Sequence, residues 1–150
     1  MIDRMVCSKP QCVTAPGTGP PIAMAEQSGT ILLVEDDDSM REAIERLLSA
    51  AGFGCAAYAS VDALLARGID GASACVISDL RLPGRSGLDL LAMMRELKIA
   101  LPFILITAHD APGLRQKAID SGAAAYLAKP FRGTALLEAV RAAIRHSAPA

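Results

Sequence analysis

Five short, nearly continuous apolar runs, each followed by an amphipathic stretch, occupy the chain from Thr30 to His146. The runs are Ile31–Val34, a weaker one at Cys55–Tyr58, then Ala74–Asp79, Phe103–Thr107 and Ala124–Ala128. A strand that is apolar on both sides must be covered on both, which is the condition of a parallel sheet with helical crossovers. The stretches between the runs supply those helices. Ser39-Met40-Arg41-Glu42 has the form of a capping box, and it opens a helix with Met40, Ile44, Leu47, Leu48 and Ala51 on one face and Gly52 as its stop. A short helix follows over Ser60–Ala66, and Leu90, Leu91, Met94 and Leu97 mark a third. A fourth runs from Pro112 to Ser121, with Gly122 beyond its end, and a fifth from Thr134 to His146 with Leu136, Leu137, Val140 and Ile144 aligned. The fold class read from this pattern is α/β: a five-stranded parallel sheet, doubly wound, with helices on both faces.

The first 29 residues break the pattern. Pro16-Gly17-Thr18-Gly19-Pro20-Pro21 holds neither a helix nor a central strand, so residues 1–29 are expected to form a disordered tail before a domain at 30–146 and a short tail at 147–150. With 52% apolar residues in 150, the chain supports one core. Fifteen Lys and Arg stand against sixteen Asp and Glu, a net charge of −1, which argues against direct nucleic-acid binding. Aromatics at 3% and the absence of Trp remove base-stacking platforms. No apolar run approaches the roughly 20 residues of a membrane span, and Met1–Cys12 lacks the apolar centre of a secretory signal. A cytoplasmic protein with no membrane partner is expected. Cys7, Cys12, Cys55 and Cys75 have no zinc spacing, and the last two read as buried thiols.

Ligands of open parallel sheets bind beyond the carboxyl ends of the strands, where the strand order reverses. The polar residues fall at those ends. Glu35, Asp36, Asp37 and Asp38 follow the first run, Asp79 closes the third, Thr107 closes the fourth, and Lys129-Pro130 follows the fifth. In a 2-1-3-4-5 order the first and third strands are neighbours, which brings Glu35 and Asp36 beside Asp79. Two carboxylates about 4 Å apart repel by about 4 kcal/mol at an effective dielectric near 20, so three together require a cation. A hard, partly hydrated ion such as Mg²⁺ suits carboxylates and waters, whereas zinc finds no Cys or His there except His109. Asp79 then keeps one oxygen free as a nucleophile toward a phosphoryl group, with the Lys129 ammonium and the Thr107 hydroxyl to offset its charge. A plainer reading gives the acidic run to the helix dipole, with Ser39 as cap. It accounts for Asp37 and Asp38 but not for Asp79, a carboxylate at the end of an apolar strand.

The segments ILLVEDDDSM at Ile31–Met40, VISDLRLPGRSGL at Val76–Leu88, ITAH at Ile106–His109 and YLAKPF at Tyr126–Phe131 carry, in order and spacing, a resemblance to the receiver domain of two-component response regulators. It covers about residues 30–146, and Arg81 with His109 resembles the nitrogen-fixation type of regulator. The resemblance implies the 2-1-3-4-5 order, Asp79 as phosphoacceptor, and Glu35 and Asp36 as the pair that holds Mg²⁺, with the Arg81 backbone carbonyl as a further ligand. It makes Thr107 and Tyr126 the switch pair and Lys129 the phosphate-contacting residue, and it implies a cis Lys129–Pro130 bond. Two positions depart from the family pattern: Glu35 stands where many receivers have Asp, and Arg132 where an acidic or small polar cap is usual.

The implied function is a regulatory phosphoacceptor rather than an enzyme, expected here as a single-domain regulator. Its phosphodonor would be a sensor histidine kinase or a histidine phosphotransfer protein. Its output would pass to a downstream protein or a second copy through the fourth helix, fifth strand and fifth helix, where Arg115, Lys117, Arg141 and Arg145 are expected on the surface. A phosphate sink in a relay is the alternative within this class. A haloacid-dehalogenase-like phosphatase would use Asp36-Asp37-Asp38 but leaves Asp79 unused, and a flavodoxin-like carrier would need a Ser/Thr/Gly-rich loop where this chain has four acids.

Overall fold

The computed structural model describes residues 29–69 and 72–147. In chain order the elements are β1 (Thr30–Val34), α1 (Asp38–Ala50), β2 (Gly54–Tyr58), α2 (Val61–Arg67), β3 (Cys75–Asp79), α3 (Gly87–Glu96), β4 (Phe103–Thr107), α4 (Leu114–Asp120), β5 (Ala125–Ala128) and α5 (Gly133–Ser147). All strand pairs are parallel, in the order β2-β1-β3-β4-β5. This is the expected 2-1-3-4-5 arrangement, with β1 beside β3.

Successive strand side chains point to opposite faces, so each central strand feeds two cores. Leu32, Val34, Val76, Phe103, Leu105 and Tyr126 pack with α2, α3 and α4 through Val61, Leu64, Leu90, Leu91, Met94 and Ala118. On the other face Ile31, Leu33, Cys75, Ile77, Ile104 and Ile106 pack with Ile44 and Leu48 of α1 and Leu136, Val140 and Ala143 of α5. Ile31 is in register with both Cys55 and Cys75. Burial pushes both of these thiols up to about 12, so they behave as packing groups rather than nucleophiles.

Several local expectations are corrected. The cap of α1 is Asp37, not Ser39: Asp37 is extended at φ −82°, ψ 116°, and its side chain accepts from the Ser39 and Met40 N–H groups. The box motif that does form is at α3, where the Ser86 side chain accepts from the Asp89 N–H and the Asp89 carboxylate from the Ser86 N–H. Leu97, expected on the buried face of this helix, is 63% exposed: it is the C-cap of α3, its N–H still on the Met93 carbonyl, and the chain turns at Lys98. α4 is shorter than Pro112–Ser121. It begins after Gly113, a left-handed residue at φ +81° with no side-chain cap, and it buries only Ala118. Arg141 is half-buried rather than exposed. The tail assigned to residues 1–29 lies outside the described residues apart from Gly29, as do residues 148–150, while Ser147 belongs to α5.

Candidate functional site

The carboxyl ends of β1, β3, β4 and β5 lie along one edge because the four strands are consecutive and parallel in the sheet, and the long Lys129 side chain reaches back from beyond β5 to Asp79 and Glu35. Glu35 continues β1 by one residue, its N–H donating to the Tyr58 carbonyl at 2.9 Å. Asp79 is the last residue of β3, and Lys129 follows β5 with its N–H on the Thr107 carbonyl at 2.7 Å. The Lys129 Nζ donates to Glu35 Oε1 at 2.7 Å and to Asp79 Oδ2 at 3.0 Å. The Lys129–Pro130 peptide bond is cis, as the resemblance implied. One carboxylate oxygen from each of Glu35, Asp36 and Asp79 lies within 4.8 Å of the others, so the three acids expected to meet do meet.

Asp79 differs from expectation in one respect: both oxygens are engaged. Oδ2 accepts from Lys129, and Oδ1 accepts from the Arg81 N–H at 3.3 Å, which holds the Arg81 backbone against the carboxylate. Glu35 is completely buried, with Oε2 accepting from the Asp37 N–H at 3.2 Å. Burial raises the Glu35 carboxyl above its ordinary range, the nearby Asp79 charge adds to this, and the Lys129 and Asp37 hydrogen bonds oppose it. For Lys129 burial works against the charged form, but hydrogen bonds to Glu35 and Asp79 outweigh it and hold the ammonium above its ordinary value. Asp36 is exposed and accepts no hydrogen bond or ion pair among the described residues. Three carboxylates against one ammonium leave a negative, all-oxygen cluster with one carboxylate uncommitted. That donor set fits Mg²⁺, which takes one or two carboxylates and keeps several waters.

Thr107 is fully buried at the end of β4, and its Oγ1 accepts from the His109 N–H at 2.9 Å. Tyr126 lies with its ring already buried, its hydroxyl donating to Asp110 Oδ1 at 2.6 Å and the Arg115 guanidinium 5.0 Å from its ring centre. Burial, reinforced by the Asp110 hydrogen bond, pushes the phenol up to about 12. The segment Thr107–Asp110 therefore touches both members of the expected switch pair.

Three further residues, Asp110, Gly87 and Ser78, shape the site and were not singled out in the sequence, and Arg115, expected only as a surface contact of the output face, also packs on Tyr126. Asp110 and Arg115 bracket Tyr126 across the β4–α4 loop, a tertiary relationship with no local signal. Gly87 lies under Asp79, where a Cβ would stand 2.5 Å from the Asp79 carbonyl oxygen. The Ser78 hydroxyl donates to that same carbonyl at 2.9 Å. For Gly87 a signal was present, since Ser86-Gly87-Leu88-Asp89 has helix-start spacing. The groove between the C-terminal ends of α3 and α5, lined by Met94, Ile99, Leu101 and Ala143 among others, contains none of the candidate residues.

The sequence profile of the response regulator receiver domain matches residues 31–141. Nodulation protein W of Bradyrhizobium diazoefficiens is 37% identical over 119 residues, covering 79% of this chain and 52% of that protein. Transcriptional regulatory protein FixJ of Rhizobium meliloti is 33% identical over 117 residues, covering 78% and 57%. The chain thus spans little more than half the length of these curated relatives. Among solved structures, the FixJ-N crystal structure superposes with a TM-score of 0.72 at 31% identity, over 81% of this chain and 98% of that one. The non-phosphorylated HemR receiver domain of Leptospira biflexa gives 0.74 at 29% identity, over 81% and 98%. Sheet order, the acidic cluster at its carboxyl edge and these matches lead to one assignment: the chain belongs to the response regulator receiver domain family.

Proposed function

We propose that this receiver accepts a phosphoryl group on Asp79 from a sensor histidine kinase or histidine phosphotransfer protein, in the cytoplasm, and signals through the face built by α4, β5 and α5. The observation that carries the reading is the meeting of Asp79 with Lys129 and two further acids, from three different strand ends, at the carboxyl edge of the sheet. Glu35, Asp36, Asp79 and the Arg81 backbone carbonyl would hold Mg²⁺. The ion would screen the charge between these carboxylates and the incoming phosphoryl oxygens.

An Asp79 carboxylate oxygen attacks phosphorus. The new O–P bond forms as the bond to the donor's imidazole nitrogen breaks, and that nitrogen keeps the electron pair. Lys129 shifts from Asp79 Oδ2 to a phosphoryl oxygen, while its shorter bond to Glu35 keeps the ammonium over the site. Thr107 Oγ1 already accepts the His109 N–H, which leaves the hydroxyl proton available for a phosphoryl oxygen. The acyl phosphate carries about 1.5 to 2 negative charges where the free carboxylate carried one, and it carries them farther out, beside Thr107; movement of Thr107 toward them pulls on the loop that ends at Asp110 and Tyr126. Arg115, Lys117 and Arg145 line the face that would change, and a downstream protein or a second copy would read it.

Incubation with acetyl phosphate and Mg²⁺ tests the chemistry. One acid-stable, base-labile phosphoryl group per chain is expected, and Asp79→Asn should remove it. Full labelling of Asp79→Asn would overturn the assignment, and rapid turnover of the donor without labelling would favour a phosphatase.

A further inference from the structure

We propose that Arg41 is a positioning residue that holds the β1–α1 loop in its cation-binding shape. This inference rests on the Mg²⁺-dependent reading of the site given above. Arg41 sits in the first turn of α1, where the helix dipole disfavours a cation. Its side chain reaches backwards instead of outwards: Nη1 donates to the Glu35 carbonyl at 2.9 Å, and Nη2 pairs with the Asp38 carboxylate. It is 20% exposed, against 80% for Arg46 on the same helix. One planar guanidinium thus spans both ends of the segment Glu35–Asp38.

That segment is otherwise closed on itself. The Asp37 N–H is held by Glu35 Oε2, and the Asp37 carboxylate caps the helix on the Ser39 and Met40 N–H groups. With Arg41 gripping the Glu35 carbonyl, the Glu35 N–H on Tyr58 and both its carboxylate oxygens engaged, every polar group of Glu35 has a partner. Asp36 is the one acid of the four whose carboxylate is left without a partner among the described residues, with an oxygen within 4.8 Å of the Asp79 carboxylate. The loop is a frame that leaves this carboxylate for a ligand, and Arg41 closes the frame.

Charge alone predicts the opposite sign. A cation beside three carboxylates repels Mg²⁺, so if Arg41 acted only through its charge, removing it would tighten Mg²⁺ binding. Calorimetric titration of Mg²⁺ into the full chain, Arg41→Gln and Arg41→Lys separates the two. Supporting groups behind metal ligands are worth about 10- to 100-fold in affinity, and about a tenfold rise in Kd is expected for both variants. Lys keeps the charge but cannot span Glu35 and Asp38 with one rigid fork. Unchanged or tighter binding by either folded variant overturns the proposal. A fall in the metal-free melting temperature with Mg²⁺ affinity preserved also overturns it, since that marks a purely structural role. If Arg41→Gln loses its cooperative melt, Arg41→Lys decides alone. Failure of the unsubstituted chain to bind Mg²⁺ overturns the proposed function itself, whereas equal binding by all three chains overturns only the role of Arg41.

Discussion

Lys129 and Glu35, 94 positions apart in the chain, meet at 2.7 Å with side chains only 12% and 1% exposed. A pair this buried is held by its own complementarity, and removing one partner strands the other. Lys129→Ala is expected to cost about 3 kcal/mol of stability at pH 7, measured by urea unfolding. The deficit should shrink at acidic pH, because Glu35, already raised by burial, takes up a proton and no longer needs a counter-charge. In the unsubstituted chain the sign is reversed at the alkaline end. The Lys129 contribution is complete below the ordinary lysine range and is lost as pH rises through the raised native value.

Mg²⁺ should stabilise the fold. At a concentration 100 times its Kd, a ligand that binds only the native state adds about 2.7 kcal/mol, or roughly 5 to 10 °C in Tm for a chain of this size. Asp36→Ala should abolish most of that gain while leaving the metal-free Tm unchanged or raised, since the Asp36 side chain is exposed and without a partner among the described residues and its removal relieves repulsion with Glu35 and Asp79. A thermal melt with and without Mg²⁺ reads both.

Gly87→Ala is expected to destabilise the chain by about 1 to 3 kcal/mol through overpacking. The added methyl would stand 2.5 Å from the Asp79 carbonyl oxygen and 2.8 Å from Leu105 Cδ1. Relief requires the backbone of Asp79 itself to move, so the labelling rate at Asp79 should fall along with Tm. A substitution that leaves both at their original values contradicts the close approach.

Tyr126 provides a spectroscopic reading of its own surroundings. The chain has two tyrosines and no tryptophan, so in a Tyr58→Phe background the ultraviolet phenolate signal belongs to Tyr126 alone. It should titrate at about 12. Asp110→Asn should move it part of the way down toward the ordinary value of about 10, because the charged acceptor of its hydrogen bond is then neutral while the burial remains. Below pH 10 the raised phenol costs nothing, and the stability it reflects is lost as pH rises toward 12.

Amide exchange with and without beryllofluoride tests the output face. Changes in protection should extend from the Asp79 loop through residues 107–145. Confinement to the Asp79 loop would favour a phosphate sink.

Much of this was legible in the sequence because two simple periodicities dominate it. Ile31–Val34 and Phe103–Ile106 are apolar at every position, so they have to be central strands, and residues just beyond such strands have to sit at the sheet edge. Asp79 was conspicuous because an apolar strand ends on a charge. Less legible was anything decided by a choice among equivalent neighbours. Asp36, Asp37, Asp38 and Ser39 all favour a cap, and only the extended backbone at Asp37 selects it. Leu97 fits the α3 spacing, but it is the C-cap residue, where the helix has run past the sheet, and it stays exposed. The bond from Tyr126 to Asp110 joins residues 16 apart through the packing of α4, which no local pattern encodes. The second bond on Asp79, from the Arg81 N–H, depends on the path of a loop rather than on residue type.

The start of α4 sets where this molecule yields first. A side-chain cap at a helix N-terminus contributes about 1 kcal/mol, and α4 has none, opening on a left-handed glycine and anchoring itself by buried Ala118 and partly buried Leu114. α1 and α3, by contrast, are capped and bury larger side chains. Fewer groups thus hold the start of α4, on the flank next to Thr107 and Tyr126, than hold α1 and α3, and a lower free energy of local opening is expected there. A small force applied at the end of β4 is spent on the element least able to resist it, and the rest of the domain keeps its shape.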